Sequence, residues 1–147
     1  MSKRILILCT ANSCRSQMAE GILKSLDPEL VVYSAGIEPA QQVHPKAIRV
    51  MKEIGIDISD NFTKSVNYFL HKSFDYVITV CDYAKETCPA FIGQVENRIH
   101  MEFKDPSCAT GNEFEILDIF RKSRDEIRKA LTEFYKQNIL SLEKKSA

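Results

Sequence analysis

The sequence has no surplus of charge of either sign and no long hydrophobic run. Its 20 lysines and arginines balance 20 aspartates and glutamates, so no overall electrostatic field favours nucleic acid or an anionic membrane. The apolar run at residues 5–9 is too short for a signal peptide or a membrane span. We therefore expect a cytosolic protein without nucleic-acid or membrane partners, and any anion specificity must come from a local site.

The sequence also lacks internal repeats, low-complexity segments and linkers. Its 147 residues are enough to bury the core of one domain, so we expect a single catalytic domain over residues 1–147 and a monomer. In a reducing cytosol, five cysteines indicate catalysis, redox chemistry or metal binding rather than structural disulfides. The spacing between Cys81 and Cys88 gives poor support to a four-thiolate zinc site.

Short buried runs alternate with amphipathic segments, which predicts an α/β fold. Strands are predicted at 5–9, 31–34, 76–80 and 98–101. Helices are predicted at 16–26, 45–54, 65–72 and 113–142, with Phe114 on the apolar side of the last one. This alternation predicts a three-layer fold, in which a four-stranded parallel sheet carries helices on both faces.

Cys9 and Arg15 flank a loop that connects the first strand to the first helix. Backbone N–H groups of such a loop, together with the positive end of the helix dipole, form a cradle for an anion. Arg15 adds a fork for two oxygens, and we expect the cradle to lower the pKa of Cys9, whose thiolate then attacks the bound oxyanion. Ser16 is placed to donate to the Cys9 sulfur, and Asn12 tolerates a left-handed turn. The predicted anion-binding residues are Thr10, Ala11, Asn12, Ser13, Cys14 and Arg15.

A second group of candidate residues follows the third strand. Because the carboxyl ends of parallel strands meet at one sheet edge, Cys81 is expected close to Cys9. Cys88 follows across a polar run, 82–87, that can supply the mobility needed for exchange between thiols. The three histidines show no ligand spacing and are predicted to be surface or packing residues.

Several motifs resemble the low-molecular-weight tyrosine phosphatase superfamily and, within it, the thioredoxin-coupled arsenate reductases. They are the segments at 9–21, 33–37, 45–48, 57–59, 81–89, 105–106 and 123–127. The resemblance implies that Cys9 attacks arsenate and that Cys81 then attacks the Cys9 sulfur, which releases arsenite. It further implies that Cys88 closes a disulfide with Cys81, that thioredoxin reduces this disulfide, and that Asp105 is the general acid. Phosphate and sulfate are the expected competing anions.

The chain departs from the phosphatase pattern at three positions. Ser107 and Cys108 follow Asp-Pro where the phosphatases carry an aromatic residue, and Gln17 stands where they usually have proline. These differences favour a small inorganic substrate. Two alternatives stay open, a phosphatase that hydrolyses phosphotyrosine or aryl phosphates and a non-catalytic sensor of redox state or phosphate.

Some reductases of this family hold a potassium ion beside the loop, and the resemblance implies a possible site here. Asn12, Glu20 and Ser34 match three of its ligand positions. The fourth position falls at Ser65, beside Lys64, whose ammonium group is the alternative source of positive charge. The role of Cys14 is also open between a protective disulfide with Cys9 and packing of the loop.

Overall fold

Four parallel strands form the centre of the fold in a computed structural model that describes residues 2–82, 84 and 94–141. They lie in the order β2-β1-β3-β4, which confirms the predicted four-stranded parallel sheet. The strands are β1 (Arg4–Cys9), β2 (Val31–Gly36), β3 (Phe74–Thr79) and β4 (Val95–His100). The consecutive residues Ile5, Leu6, Ile7 and Leu8 of β1 are all fully buried. Because neighbouring side chains of a strand point to opposite faces, both faces of the sheet are covered at its centre.

Among the residues whose structure is described, three α-helices and two short 3₁₀ turns connect and cover the strands. The α-helices are α1 (Arg15–Leu26), α2 (Pro45–Glu53) and α3 (Glu113–Phe134), and the 3₁₀ turns are Val66–Phe69 and Pro106–Cys108. Proline begins α2, and a capping box between Asn112 and Glu115 begins α3, as their sequences favour. Among the described helices, none combines the length and the apolar composition that crossing a membrane requires.

Three predicted elements differ most clearly from the structure: β4, the segment at 65–72 and the last helix. β4 begins three residues earlier than predicted, because its first residues are mostly exposed on an edge strand and give no apolar run. The segment predicted as a helix at 65–72 forms only the 3₁₀ turn Val66–Phe69. The last helix changes to a π-helix at Tyr135–Leu140, and residue 142 lies outside the described residues. Phe114 is 69% exposed, because the first turn of α3 extends beyond the surface that this helix buries.

The two phenylalanines of α3 provide a matched test of its packing. Phe120 is fully buried, so Phe120→Ala is expected to lower the free energy of unfolding by about 3–5 kcal/mol. Phe114→Ala, at an exposed position of the same helix, is expected to change it by less than about 0.5 kcal/mol. Urea denaturation followed by circular dichroism measures both, and equal losses in the two variants would contradict this description of α3.

Candidate active site

The loop between β1 and α1 is fixed by backbone hydrogen bonds to the segment that follows β2. The carbonyl oxygens of Cys9, Thr10, Ala11 and Ser13 accept from the N–H groups of Ile37, Glu38, Ala40 and His44, at 2.8 to 3.1 Å. In a trans peptide, the C=O and the following N–H point in opposite directions. The N–H groups of residues 10, 11, 12 and 14 therefore face away from this segment. The loop has the backbone orientation that an anion cradle needs.

The Cys9 sulfur has two hydrogen-bond contacts, of which the one with Ser16 was predicted. The N–H of Asn12 donates to Cys9 Sγ at 3.1 Å, and Ser16 Oγ lies 2.9 Å from the same sulfur. Asn12 Nδ2 in turn donates to Ser16 Oγ at 2.7 Å, which leaves the serine proton for Cys9 when the sulfur is a thiolate. The contact predicted between Ser16 and Cys9 is confirmed.

Burial opposes the activation that we predicted for Cys9. Its side chain is only 2% exposed, and this burial raises the pKa of the Cys9 thiol above its ordinary value. The hydrogen bonds from Ser16 and Asn12 and the charge of Arg15 lower the pKa, but they do not outweigh burial. The predicted net lowering is therefore wrong. What the sequence indicated correctly is the set of contacts that favour the thiolate.

Asn12 is the turning point of the loop. Its φ is +53°, the one positive φ outside glycine among the described residues, which confirms the left-handed turn predicted for it. Its side chain is fully buried, and Oδ1 accepts from the N–H of Lys64 at 2.9 Å. The loop is thus held from within α1 and from the segment before the first 3₁₀ turn.

Gln17 supports Asn12, which the sequence analysis did not recognise. The buried Gln17 Nε2 lies 3.1 Å from Asn12 O, 3.2 Å from Asn12 Oδ1 and 3.1 Å from Phe62 O, while Asn61 donates to Gln17 Oε1. We had interpreted Gln17 only as a replacement for proline. No local pattern indicates its role, because Phe62 is 45 residues away along the chain.

Arg15 and Asp105 lie close together beside the loop. Arg15 Nη2 lies 3.5 Å from Asp105 Oδ2, and Arg15 Nη1 donates to the carbonyl of Phe103 at 3.1 Å. Asp105 begins the 3₁₀ turn Pro106–Cys108, and its Oδ1 accepts from the N–H and the hydroxyl of Ser107. The structure therefore brings the predicted general acid to the anion-binding arginine. Their catalytic roles stay predictions.

Cys81 lies at the same sheet edge as the loop, as predicted. The thiol is buried, and its Sγ is 3.3 Å from the hydroxyl oxygen of Thr10, so the second thiol directly contacts the first residue after Cys9. Cys9 and Cys81 are both free thiols. Cys88, the third cysteine of the predicted relay, lies outside the described residues.

The two remaining cysteines differ in their surroundings. Cys14 is buried, and burial raises the pKa of its thiol to about 12, with the negative charges of Asp105 and Cys9 adding to the effect. Such a thiol stays protonated near neutral pH, which favours the packing interpretation. Cys108 is exposed, and its Sγ lies 3.9 Å from Asp105 Oδ2. Cys108 therefore lies at the end of the 3₁₀ turn that Asp105 begins.

The side chains that match the potassium ligand positions already form hydrogen bonds with protein groups. Glu20 is 4% exposed, its Oε1 accepts from the Ser34 hydroxyl at 3.0 Å, and its Oε2 accepts from Asn61 at 3.1 Å and from Lys24 at 3.3 Å. At the fourth position, the Ser65 hydroxyl accepts from the N–H that begins the 3₁₀ turn.

Lysine side chains supply the positive charge near Glu20. The Lys24 ammonium pairs with Glu20, and Lys64 also interacts with this carboxylate. Burial lowers the pKa of the Lys64 ammonium, and the Glu20 charge partly offsets that effect. Because the oxygens of Asn12 and Glu20 already accept hydrogen bonds and the Lys24 ammonium pairs with Glu20, the set of Asn12, Glu20 and Ser34 does not fit a potassium ion.

Comparison with known proteins gives the family of the chain. Residues 4–146 match the family described as Low molecular weight phosphotyrosine protein phosphatase. The chain belongs to this family. A relative named arsenate reductase from Halalkalibacterium halodurans is 47% identical over 136 residues, which cover 91% of this chain and 96% of that one. The arsenate reductase of Bacillus subtilis is 46% identical over 134 residues, with 90% and 95% covered.

Solved structures of this phosphatase family share the fold. One described as an arsenate reductase in the phosphate binding state has a TM-score of 0.78 and 32% identity, and the match covers 92% of this chain and 98% of that chain. A low molecular weight protein tyrosine phosphatase from T. tengcongensis has a TM-score of 0.75 and 25% identity, with 92% and 99% covered. The fold implied by the motifs is therefore confirmed.

Two further positions shape the loop of this family member without any signal that we recognised. A Cβ on Gly36 would lie 2.7 Å from the carbonyl oxygen of Thr10, so only glycine lets β2 approach the loop. His44 is the N-cap of α2, accepts from Lys46 N–H through Nδ1, and packs its ring on Phe120 at 4.7 Å. The packing was predicted for the histidines, but the backbone bond from His44 to Ser13 was not.

Removal of the Ser16 hydroxyl is expected to raise the pKa of Cys9 further, because the thiolate loses a hydrogen bond. A hydrogen bond to a charged group contributes about 1.5–3 kcal/mol, which corresponds to about one to two pH units. In Ser16→Ala, the pH profile for alkylation of Cys9 by iodoacetamide should therefore move to higher pH. Mass spectrometry of the Cys9 peptide follows this reaction separately from the other thiols.

Ser13→Ala is the matched control, because its hydroxyl contacts Cys14 rather than Cys9. Its Cys9 profile should stay where the unmodified chain has it. A Ser16→Ala profile that does not move, or that moves to lower pH, would contradict the hydrogen bond from Ser16 to the thiolate.

Proposed function

We propose that this chain reduces arsenate to arsenite through a three-cysteine relay that thioredoxin regenerates. The observation that carries the proposal is the contact of a second buried thiol, Cys81, with Thr10 of the oxyanion loop at 3.3 Å. A phosphatase that returns its thiolate by hydrolysis needs no such thiol. The relatives named arsenate reductase, at 46–47% identity over 90% or more of the chain, support the same assignment.

In the first step the loop binds arsenate and the Cys9 thiolate attacks the arsenic atom. The N–H groups of the loop and Arg15 stabilise the oxyanion. A sulfur–arsenic bond forms, an arsenic–oxygen bond breaks, and the leaving oxygen departs as water with a proton from Asp105. Arsenic is still pentavalent in this Cys9 adduct.

In the second step the Cys81 thiolate attacks Cys9 Sγ. A disulfide forms between Cys9 and Cys81, and the sulfur–arsenic bond breaks. Its electron pair stays on arsenic, which leaves as trivalent arsenite. The two electrons that reduce arsenate come from the two sulfurs, which are oxidised to the disulfide.

In the third step the Cys88 thiolate attacks Cys81, which frees the Cys9 thiolate and leaves a disulfide between Cys81 and Cys88. A dithiol protein such as thioredoxin reduces this disulfide by the same exchange. Such a reductant and the free thiols of the resting enzyme require a reducing compartment, for which we propose the cytosol.

Hydrolysis of aryl phosphates is the second candidate function. It is supported by the family match and by the pair of Arg15 and Asp105, which is all that a Cys9 phosphoenzyme would need for its formation and hydrolysis. Since this chemistry shares the first step, it can persist in the same active site as a side activity.

Cysteine variants separate the two activities. In Cys81→Ser and Cys88→Ser, arsenate-dependent oxidation of NADPH with thioredoxin and thioredoxin reductase should fall to background. Hydrolysis of p-nitrophenyl phosphate should persist in both variants, because it does not use the resolving thiols. Cys9→Ser should lose both activities.

Cys108→Ala is the matched control, since this exposed thiol is outside the relay. It should keep arsenate turnover. Full multiple-turnover reduction in Cys81→Ser would contradict the relay. Phosphate hydrolysis without any arsenate reduction in the unmodified chain would instead favour the second candidate.

We also propose that the activity does not depend on potassium, because lysine ammonium groups supply the charge beside Glu20. Replacement of potassium chloride by tetramethylammonium chloride, at constant ionic strength, should leave kcat/KM for arsenate unchanged. In Lys64→Ala the carboxylate loses one of its two cations, and potassium should then restore part of the lost activity. Activation of the unmodified enzyme by potassium would show that the ion binds despite the occupied acceptors.

A further inference from the structure

Three metal-ligating side chains meet beyond the carboxyl ends of β3 and β4, outside the oxyanion loop. They are Asp82, His100 and Glu102, and one ligand atom of each lies within 4.8 Å of the others. His100 is the last residue of β4 and pairs in register with Thr79, the last residue of β3. The parallel pairing of these two strands therefore assembles the cluster from residues that are distant in sequence.

The imidazole ring of His100 is held in one orientation. Its Nδ1 lies 2.9 Å from the hydroxyl oxygen of Thr79, a residue that is 7% exposed. Its Nε2 points into the cluster and lies 3.3 Å from Asp82 Oδ1. A hydrogen bond from one ring nitrogen to a neighbouring group is how proteins fix the other nitrogen as a metal ligand.

His100 Nε2 is a buried atom that has no hydrogen-bond partner among the described residues. It lies opposite a carboxylate oxygen of Asp82, so a cation bound between the two atoms would give this buried nitrogen a partner. In a tetrahedral zinc site with bonds of about 2.0–2.1 Å, two ligand atoms are about 3.3 Å apart. The spacing of Nε2 and Oδ1 already has this value.

We propose that Asp82, His100 and Glu102 bind a divalent transition-metal ion of the zinc type. One imidazole and two carboxylates provide three protein ligands, and water completes the tetrahedron. Thr79 orients the imidazole without touching the ion. The imidazole ligand and the 3.3 Å spacing of Nε2 and Asp82 Oδ1 favour zinc over magnesium, which prefers six oxygens.

Because the site lies next to Cys81, metal binding is expected to affect the cysteine relay. This expectation rests on the proposed function. Asp82 directly follows Cys81, so an ion that joins Asp82 to His100 restrains the residue next to the resolving thiol. Cys81 must approach Cys9 and later Cys88. Zinc at this site is therefore expected to slow arsenate reduction and to leave hydrolysis of p-nitrophenyl phosphate, which uses Cys9 alone, unchanged.

Binding is tested on the full chain with reduced thiols and without arsenate. Isothermal titration with zinc chloride should show a site that is lost in His100→Ala and strongly weakened in Asp82→Asn, a substitution at an exposed position. Thr79→Val keeps all three ligands and should weaken binding by about ten- to a hundredfold. His71→Ala is the matched control, because this exposed histidine precedes β3 at the opposite edge of the sheet. Thermal unfolding confirms that each variant is folded.

Cobalt(II) distinguishes this site from the thiols. In the His100 site its spectrum should lack thiolate-to-cobalt charge transfer, because all protein ligands are nitrogen or oxygen. Zinc binding that is equally tight in His100→Ala and Asp82→Asn, or a cobalt site with thiolate charge transfer, would overturn the proposal and leave an ion pair between His100 and Asp82. A chain that binds zinc here but reduces no arsenate would overturn the proposed function alone.

Discussion

The orientation of the peptide groups between Cys9 and Cys14 is the constraint on which the active site depends. The chain carries no net charge, so its affinity for an anion must come from local groups, namely the fixed peptide dipoles of the loop and Arg15. Four hydrogen bonds hold the loop carbonyls on the segment after β2, and the N–H groups consequently turn the other way. Each such bond contributes only about 1 kcal/mol of stability. Their effect on direction is larger, because they fix the donors before any anion arrives.

The two cysteines of this loop have different electrostatic surroundings. Both thiols are buried, and burial alone makes each a weaker acid. Arg15 lowers the pKa of both thiols. Cys9 also accepts hydrogen bonds from Asn12 and Ser16, whereas Cys14 has only the Ser13 hydroxyl, and the charges of Asp105 and Cys9 oppose its ionisation. For the acidity of these two thiols, position in the loop is therefore less important than the direction of the neighbouring N–H and O–H groups. These groups favour Cys9 over Cys14 as the nucleophile of the proposed reaction.

The parts of the structure that sequence predicted are those whose cause is local. The apolar run of β1, the spacing from Cys9 to Arg15 and the left-handed Asn12 are each determined by neighbouring residues. β4 was misplaced because an edge strand needs no continuous apolar run, and Phe114 because helical spacing does not show where a packing surface ends. Gln17 and Gly36 were missed because their roles depend on the approach of distant backbone. The predicted lowering of the Cys9 pKa was wrong for the same reason, since burial is a property of the whole fold.

The end of β3 connects the parts of the site that the proposed chemistry must keep together. The N–H of Val80 donates to Leu8, just before Cys9, and its carbonyl accepts from the N–H of Phe103. Phe103 in turn accepts from Arg15. Val80, the residue before Cys81, is thus bonded both to the strand that ends at Cys9 and to the segment that leads to Asp105. Because this anchor ends at Val80, displacement of Cys81 in the relay need not disturb the anion-binding loop or Arg15. In the proposed mechanism, the fold therefore separates a fixed part, which binds the oxyanion, from the position where thiol exchange begins.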